Sequence, residues 1–147
     1  MIIIIEYKNN IQVVIDNISE NDNKKLRLEV LLRLLDKLEP LDDSVLNEHI
    51  LNLINRLNNL KPEDYRSFKK EFTKIRNYVS KNHKIYAKGE LQQTYMAIGI
   101  SIGIAIGAGM MTFNSAGIGV GIAIGVAIGL SIGTSKEKQE EEKGNIY

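Results

Sequence analysis

Three segments within the first 90 residues repeat apolar residues at spacings of three and four, which is the spacing of one helix face. Pro40 ends the first of these helices, and Pro62 begins the third. Asp42, Asp43 or Ser44 can cap the second. The apolar positions are Leu28, Leu31, Leu32, Leu35 and Leu38 in the first, Leu46, Ile50, Leu53, Ile54 and Leu57 in the second, and Tyr65, Phe68, Phe72 and Ile75 in the third. Because the connections are short, we expect a small antiparallel bundle.

The first 20 residues fit either a helix or a β-hairpin. Four apolar residues in this segment form a helical stripe: Ile11, Val14, Ile15 and Ile18. Alternatively, Ile2–Tyr7 and Ile11–Asp16 could pair as strands, because both runs are rich in β-branched residues. We favour the helix because the segments that follow are helical. The bundle, including this first element, is expected to span residues 1–90.

A long neutral segment follows the bundle. From Leu91 through Ser135 the chain has no Asp, Glu, Lys, Arg or His, although 25% of all residues are charged. As one helix, residues 96–134 would measure roughly 58 Å, about twice the thickness of a bilayer core. The polar run 112–115 interrupts the segment, so we predict two membrane-spanning helices at about 96–112 and 116–134. The predicted fold is therefore all-α: a small cytosolic helical bundle, a two-helix transmembrane hairpin (91–135) and a polar cytoplasmic tail (136–147).

The alternation of small and large residues in this segment is also compatible with β-strands. Each arm would then be a strand of about 55 Å, whereas a membrane strand needs only about 9–11 residues. Glycine at every fourth position weakens strands as well. We therefore favour helices.

Lysines at both ends of the neutral segment predict its orientation. Lys81, Lys84 and Lys88 precede it, and Lys136 and Lys138 follow it, whereas the run at 112–115 has no charge. Positively charged flanks stay on the cytoplasmic side of a membrane. The N-terminus also lacks the pattern of a secretory signal peptide. We expect an inner-membrane protein with both termini in the cytoplasm.

Small residues form two stripes along each predicted membrane helix. The glycine stripe comprises Gly99, Gly103 and Gly107 in the first helix and Gly117, Gly121, Gly125, Gly129 and Gly133 in the second. The second small stripe, two residues out of phase, comprises Ala97, Ser101, Ala105 and Gly109, then Gly119, Ala123, Ala127 and Ser131. Two residues correspond to about 200° around a helix, so the stripes lie on nearly opposite faces. One face can pack against the other arm, and the second predicts packing between hairpins in a homo-oligomer.

By these residues, 96–134 resembles the glycine-zipper membrane segments of bacterial small membrane proteins and of some pore-forming toxins. The resemblance implies that the helices self-associate among membrane lipids. The resulting hypothesis is a pore-forming toxin or defence effector, controlled through a cytosolic protein partner that binds residues 1–90. A membrane scaffold or adaptor without enzymatic activity is the alternative.

Positive charge dominates the chain just before the neutral segment. The basic residues in this part of the chain are Arg76 together with Arg66, Lys69, Lys70, Lys74, Lys81, Lys84 and Lys88. The only acidic residue between Arg66 and Lys88 is Glu71. This pattern fits either a solvated helix face or a polybasic segment that binds anionic lipid headgroups. We expect no nucleic-acid partner, because no recognised binding motif accompanies the charge.

Candidate catalytic chemistry is sparse. The chain has no cysteine, and no metal or cofactor site is expected. Arg76 and His83 match the loose Arg-x4–6-His pattern and thereby resemble HEPN ribonucleases, in which the histidine would act as acid or base and the arginine would stabilise phosphate charge. Such a spacing arises easily in a Lys- and Asn-rich chain, so we predict that the protein is not an enzyme.

Overall fold

A computed structural model describes residues 2–110 and 117–147, and these residues are almost entirely helical. The predicted all-α class is confirmed for them. The elements are α1 (Ile2–Asn17), α2 (Glu20–Leu26), α3 (Leu28–Leu38), α4 (Ser44–Leu57), a 3₁₀ turn (Pro62–Asp64), α5 (Tyr65–His83), α6 (Glu90–Met110) and α7 (Gly117–Glu142). They form two compact units: the first comprises the residues up to Ile85 together with Tyr147, and the second covers Tyr86–Ile146. The boundary lies a few residues before the predicted one at about residue 90.

The first unit is a helical bundle with a core of large apolar side chains. Helix α1 packs against α3 and α4, α2 against α3 and α5, and α4 against α5. All five apolar positions predicted for α4 are buried. In α3, however, Leu34 is fully buried and Leu32 only half-buried, and in α5 Val79 is buried whereas Tyr65 is half-buried. The predicted stripes thus follow the buried faces, with shifts at their edges.

Residues 2–26 form two helices, α1 and α2, and not a β-hairpin. Ile4, Tyr7 and Ile11 are buried, so the inward face of α1 starts earlier than the predicted stripe. Val14, Ile15 and Ile18, which that stripe included, lie at the partly exposed edge of the unit.

Helix starts and corners in the bundle are specified locally. The Asp43 side chain caps α4 by accepting a hydrogen bond from the backbone N–H of Leu46 (3.0 Å). The Ser19 hydroxyl caps α2 in the same way, accepting from the N–H of Asp22 (3.1 Å). Arg27 joins α2 to α3 in a left-handed conformation (φ 58°), which lets the chain turn between two helices with no intervening loop.

Helices α6 and α7 extend beyond their predicted bounds. Helix α6 begins at Glu90 and not near residue 96, and α7 continues to Glu142 through half of the segment expected to be a solvated tail. The predicted turn at 112–115 lies outside the described residues. Judged by length and composition, two helices of the described chain are able to cross a membrane, at Glu90–Gly109 and Gly117–Glu142.

Candidate functional site

Helices α6 and α7 run antiparallel and contact each other through the glycine stripe. All eight of its glycines are buried. A methyl group added to Gly99 would overlap the carbonyl oxygen of Gly125, and one added to Gly103 would overlap that of Gly121. At the far end, a methyl group on Gly107 would lie 2.6 Å from the carbonyl oxygen of Gly117. The two main chains therefore touch directly, and no larger residue fits at these positions.

Large apolar side chains of the same helices flank this contact and stay exposed. Ile102, Ile106, Ile124 and Ile128 are each more than half exposed. A soluble protein would bury such residues in its core, and an exposed apolar surface of this extent marks a place where something other than water is expected to lie.

The second small stripe is also exposed along its whole length, from Ala97 to Gly109 in α6 and from Gly119 to Ser131 in α7. Beyond the adjoining backbone of its own helix, a methyl group on Gly109 or Gly119 would meet no atom of the described residues within 4 Å. Only Ser101 and Ser131 bring hydroxyl groups to it, and the Ser101 hydroxyl donates to the carbonyl of Ala97 within its own helix (2.9 Å). Each helix thus carries a slim, nearly apolar face on the side opposite its partner.

Glu137 extends the glycine stripe by one further step of four residues and ends it with a charge. Its side chain is buried, and its carboxylate accepts hydrogen bonds from the backbone N–H of Gly89 (2.8 Å) and Gln92 (3.4 Å). These groups lie at the start of α6, where helix N–H groups lack partners within the helix. Glu137 therefore caps α6 from α7. Our sequence analysis missed it, although its phase with Gly129 and Gly133 was a signal that could have identified it.

Hydrogen bonds next to Glu137 connect the two chain segments at the same end of the helix pair. The N–H of Tyr86 donates to the carbonyl of Asn145 (2.8 Å), and the Asn145 side-chain amide donates to Glu140 (2.7 Å). Hydrogen bonds from Lys143 and Asn145 lower the pKa of Glu140. The residues that follow the long apolar stretch of α7 therefore take part in the fold of this unit.

The two catalytic candidates have different surroundings. His83 at the end of α5 donates from Nε2 to Asp43 Oδ2 (2.7 Å), which also accepts from the Tyr78 hydroxyl (3.1 Å). The hydrogen bond from Leu46 N–H, together with those from His83 and Tyr78, lowers the pKa of Asp43. Arg76 lies about 10 Å away along the helix axis and lines a groove with residues of α2.

The position of His83 is explained by its part in this partly buried cluster. Among the described residues, no three His, Asp or Glu side chains gather where they could hold a metal ion. That the protein is not an enzyme stays a prediction.

The predicted lipid-binding basic residues lie on or near α5, and most are solvated. Arg66, Lys70, Lys81, Lys84 and Lys88 are exposed, and Lys74 pairs with Glu71 (2.9 Å). Lys69 lines the same groove as Arg76.

In comparisons with protein-family models, curated proteins and solved structures, nothing matches this chain.

Proposed function

We propose that residues 91–135 insert into a membrane as a helical hairpin. The observation that carries this proposal is the exposure of the isoleucines, of which Ile102 and Ile124 are typical, around a helix contact made by glycines. In water this arrangement would expose the most apolar side chains to solvent, whereas in a bilayer the same side chains contact lipid acyl chains, which are also apolar. Close backbone contact between small residues is also the usual basis of helix association in lipid.

The lysines at the two ends of the hairpin support insertion into a bacterial-type inner membrane with both termini on the cytoplasmic side. Lys88 precedes α6, and Lys136 and Lys138 follow the neutral part of α7, so positive charge flanks one side of the hairpin only. Helix α6 from Leu91 to Met110 would measure about 30 Å, which matches the hydrocarbon core.

The hairpins self-associate through the second small stripe. This stripe gives the hairpin two slim edges, one on α6 and one on α7, each facing away from the internal contact. If neighbouring copies lie at the same depth in the membrane, Ser101 of one copy lies at a height midway between Ala123 and Ala127 of the next. The glycines inside each hairpin have the same stagger, since Gly103 lies between Gly121 and Gly125. An edge-to-edge contact between α6 and α7 of neighbouring copies repeats head to tail, and such a contact closes into a ring or extends into an array.

The activity that we propose for this oligomer is membrane permeabilisation, as in a toxin or defence effector, with the cytosolic bundle binding the partner that controls assembly. A closed ring of hairpins would break the continuity of the bilayer.

A membrane scaffold without pore activity is the second candidate. The observation that favours it is the absence of any charged or strongly polar side chain between Leu91 and Ser135 except serine and threonine, Asn114, Gln92 and Gln93. Channels are usually lined with charged side chains or backbone carbonyls. The scaffold would self-associate in the same way, but it would leave the membrane sealed.

Cross-linking and dye release from liposomes test insertion, self-association and permeabilisation separately. We expect the wild-type chain to form oligomers and to release the dye. Ala127→Leu, which enlarges the slim edge, should abolish both, whereas Ile128→Leu, on the adjacent lipid-facing position, should change neither. Sealed vesicles that contain oligomers would favour the scaffold. Monomers at every protein-to-lipid ratio would refute self-association, and a chain that stays soluble and unaggregated without detergent would refute insertion.

A further inference from the structure

A basic groove lies between the corner that joins α2 to α3 and one face of α5. Its volume is about 430 Å³. The residues that line it are Lys24, Lys25, Leu26, Arg27, Lys69, Phe72, Thr73 and Arg76. Five of these eight side chains are cationic and none is acidic. All belong to the bundle, so the groove is a property of that unit alone.

Two separate parts of the chain bring these cations together. On α5, Lys69, Thr73 and Arg76 are spaced by four and three residues and therefore share one face of the helix. Opposite them, Arg27 occupies the corner between α2 and α3. Leu26 and Phe72 are buried and give the groove an apolar base. The positive charge therefore converges across a cleft and is not spread along a single solvated helix.

Acidic residues near the groove neutralise only part of its charge. Lys24 pairs with Glu20 (2.5 Å) and Lys25 with Asp22 (3.5 Å). Both pairs join residues on neighbouring turns of α2 at the surface, where ion pairs are weak. Arg76 also has an interaction partner. Arg27 and Lys69 form no ion pair within residues 2–110 and 117–147.

The start of α3 adds to this positive potential. The helix begins at Leu28, directly after Arg27, and its N-cap residue makes no side-chain capping hydrogen bond. The N-terminal end of a helix carries a partial positive charge and attracts anions, although Glu29 in the first turn offsets part of it.

We propose that this groove binds a ligand that carries several phosphate groups, supplied either by the headgroup of an anionic lipid or by a soluble polyphosphorylated compound. Arg and Lys side chains form charge-assisted hydrogen bonds with phosphate oxygens, and guanidinium groups do so in a bidentate manner. A single phosphate would reach the cations on only one side of the cleft, whereas a chain of phosphates can contact both sides. The proposal does not depend on membrane insertion, because the bundle alone forms the groove.

Calorimetric titration of the full chain with sodium tripolyphosphate in a nonionic detergent tests the site. Lys69→Gln should weaken binding about tenfold, because it removes one charge-assisted contact. Lys70→Gln is the matched control: it removes the same charge from the adjacent, exposed position on α5, outside the groove. At physiological ionic strength it should change affinity by less than about twofold. Equal losses in the two variants, or no binding by the wild type, would overturn the proposal.

Arg27→Gly keeps the test valid if other variants unfold. Glycine adopts the left-handed conformation of position 27 without strain, so this variant should fold at least as well as the wild type and still bind tripolyphosphate about tenfold more weakly. Acetylation of lysines, followed by mass spectrometry, gives a second measurement. Tripolyphosphate should protect Lys24, Lys25 and Lys69 but not Lys70, and uniform protection would contradict a defined groove.

Two further arms distinguish the sources of phosphate. In one, short-chain cardiolipin, whose headgroup carries two phosphates, replaces tripolyphosphate in mixed micelles, with phosphatidylcholine as the neutral control. Loss of binding in Lys69→Gln but not in Lys70→Gln identifies the lipid headgroup if cardiolipin binds, or a soluble compound if only tripolyphosphate binds. In the other arm, RNA replaces tripolyphosphate. If Lys69→Gln and Lys70→Gln weaken RNA binding equally, the phosphates are attracted diffusely to the whole basic surface, which would overturn the proposal.

Discussion

The bundle and the helix pair α6/α7 have opposite distributions of residue size. In the bundle, large side chains such as Phe68 and Leu35 fill the interior, and charged residues cover the outside. In the helix pair, glycines such as Gly121 occupy the interior, and isoleucines such as Ile102 cover the outside. Both units are helical and both are closely packed. What differs is the kind of contact that holds the helices together.

This difference shows which physical effect each unit depends on. The bundle gains stability by removing apolar surface from water. The helix pair leaves most of its apolar surface outside and gains from direct contact between main chains. The same substitution should therefore have different consequences in the two units.

The largest effect is expected for Phe68→Ala in the bundle. Phe68 is 1% exposed, and removal of a buried phenyl ring costs about 3–5 kcal/mol. Hydrogen exchange of the full chain in detergent should show faster exchange throughout residues 2–85, with little change in α6 and α7.

Ile102→Ala is the matching substitution in the helix pair. Because Ile102 is more than half exposed at the edge of the contact, its truncation should destabilise the α6/α7 pair far less than Phe68→Ala destabilises the bundle. If Ile102→Ala separated these helices, or if Phe68→Ala left the bundle unchanged, the contrast between the units would be lost.

The second effect is the cost of adding a single methyl group at Gly121. The new Cβ would overlap the carbonyl oxygen of Gly103, so we expect Gly121→Ala to destabilise the contact by about 1–3 kcal/mol. Cysteines introduced at Gln93 and Thr134, in a chain without native cysteine, allow the distance between the helices to be measured by spin labels during titration with SDS.

Gly119→Ala serves as the control for this measurement. Beyond the backbone of its own helix, the added methyl group meets no atom of the described residues within 4 Å, and alanine is the better helix former by up to about 1 kcal/mol. In detergent at dilutions where the chain is monomeric, this variant should be as stable as the wild type or more so. Equal destabilisation by both substitutions would mean that the glycines do not mediate close approach.

A smaller effect is expected for Glu137→Ala. Loss of the cap from the start of α6 should cost about 1 kcal/mol and accelerate exchange of the backbone amides of Gly89 and Gln92. Glu141→Ala, at an exposed position of the same helix, should change neither. Unchanged exchange at Gly89 in Glu137→Ala would show that this carboxylate does not cap α6.

The smallest effect concerns the acid stability of the bundle. The pKa of Asp43 is lowered from its ordinary value of 3.8, so ionised Asp43 stabilises the folded state. This contribution is complete above pH 3.8 and is lost as the pH falls through the lowered pKa. The free energy of unfolding, measured down to about pH 2, should therefore fall less in Asp43→Asn than in the wild type. Parallel curves would exclude a role for this carboxylate.

Sequence periodicity was sufficient to predict parts of the fold that follow from local rules. The apolar stripe of α4 and its capping by an aspartate appeared where expected, because both depend on residues close in the chain. The short helix α2 was not predicted, because its seven residues are mostly polar and form no apolar stripe. The grouping of Arg27 with Lys69 depends on the packing of α2 against α5, which no local pattern specifies.

The repeat of glycine every four residues has a consequence for the alignment of the two helices. If α7 moved along α6 by four residues, about 6 Å, glycine would again face glycine, and the slim surfaces would fit almost as well. The glycines therefore permit several alignments of similar energy. The Glu137 carboxylate accepts hydrogen bonds from the amides of Gly89 and Gln92 in only one of these alignments. A single carboxylate at the end of a repetitive surface therefore selects one alignment of the two helices.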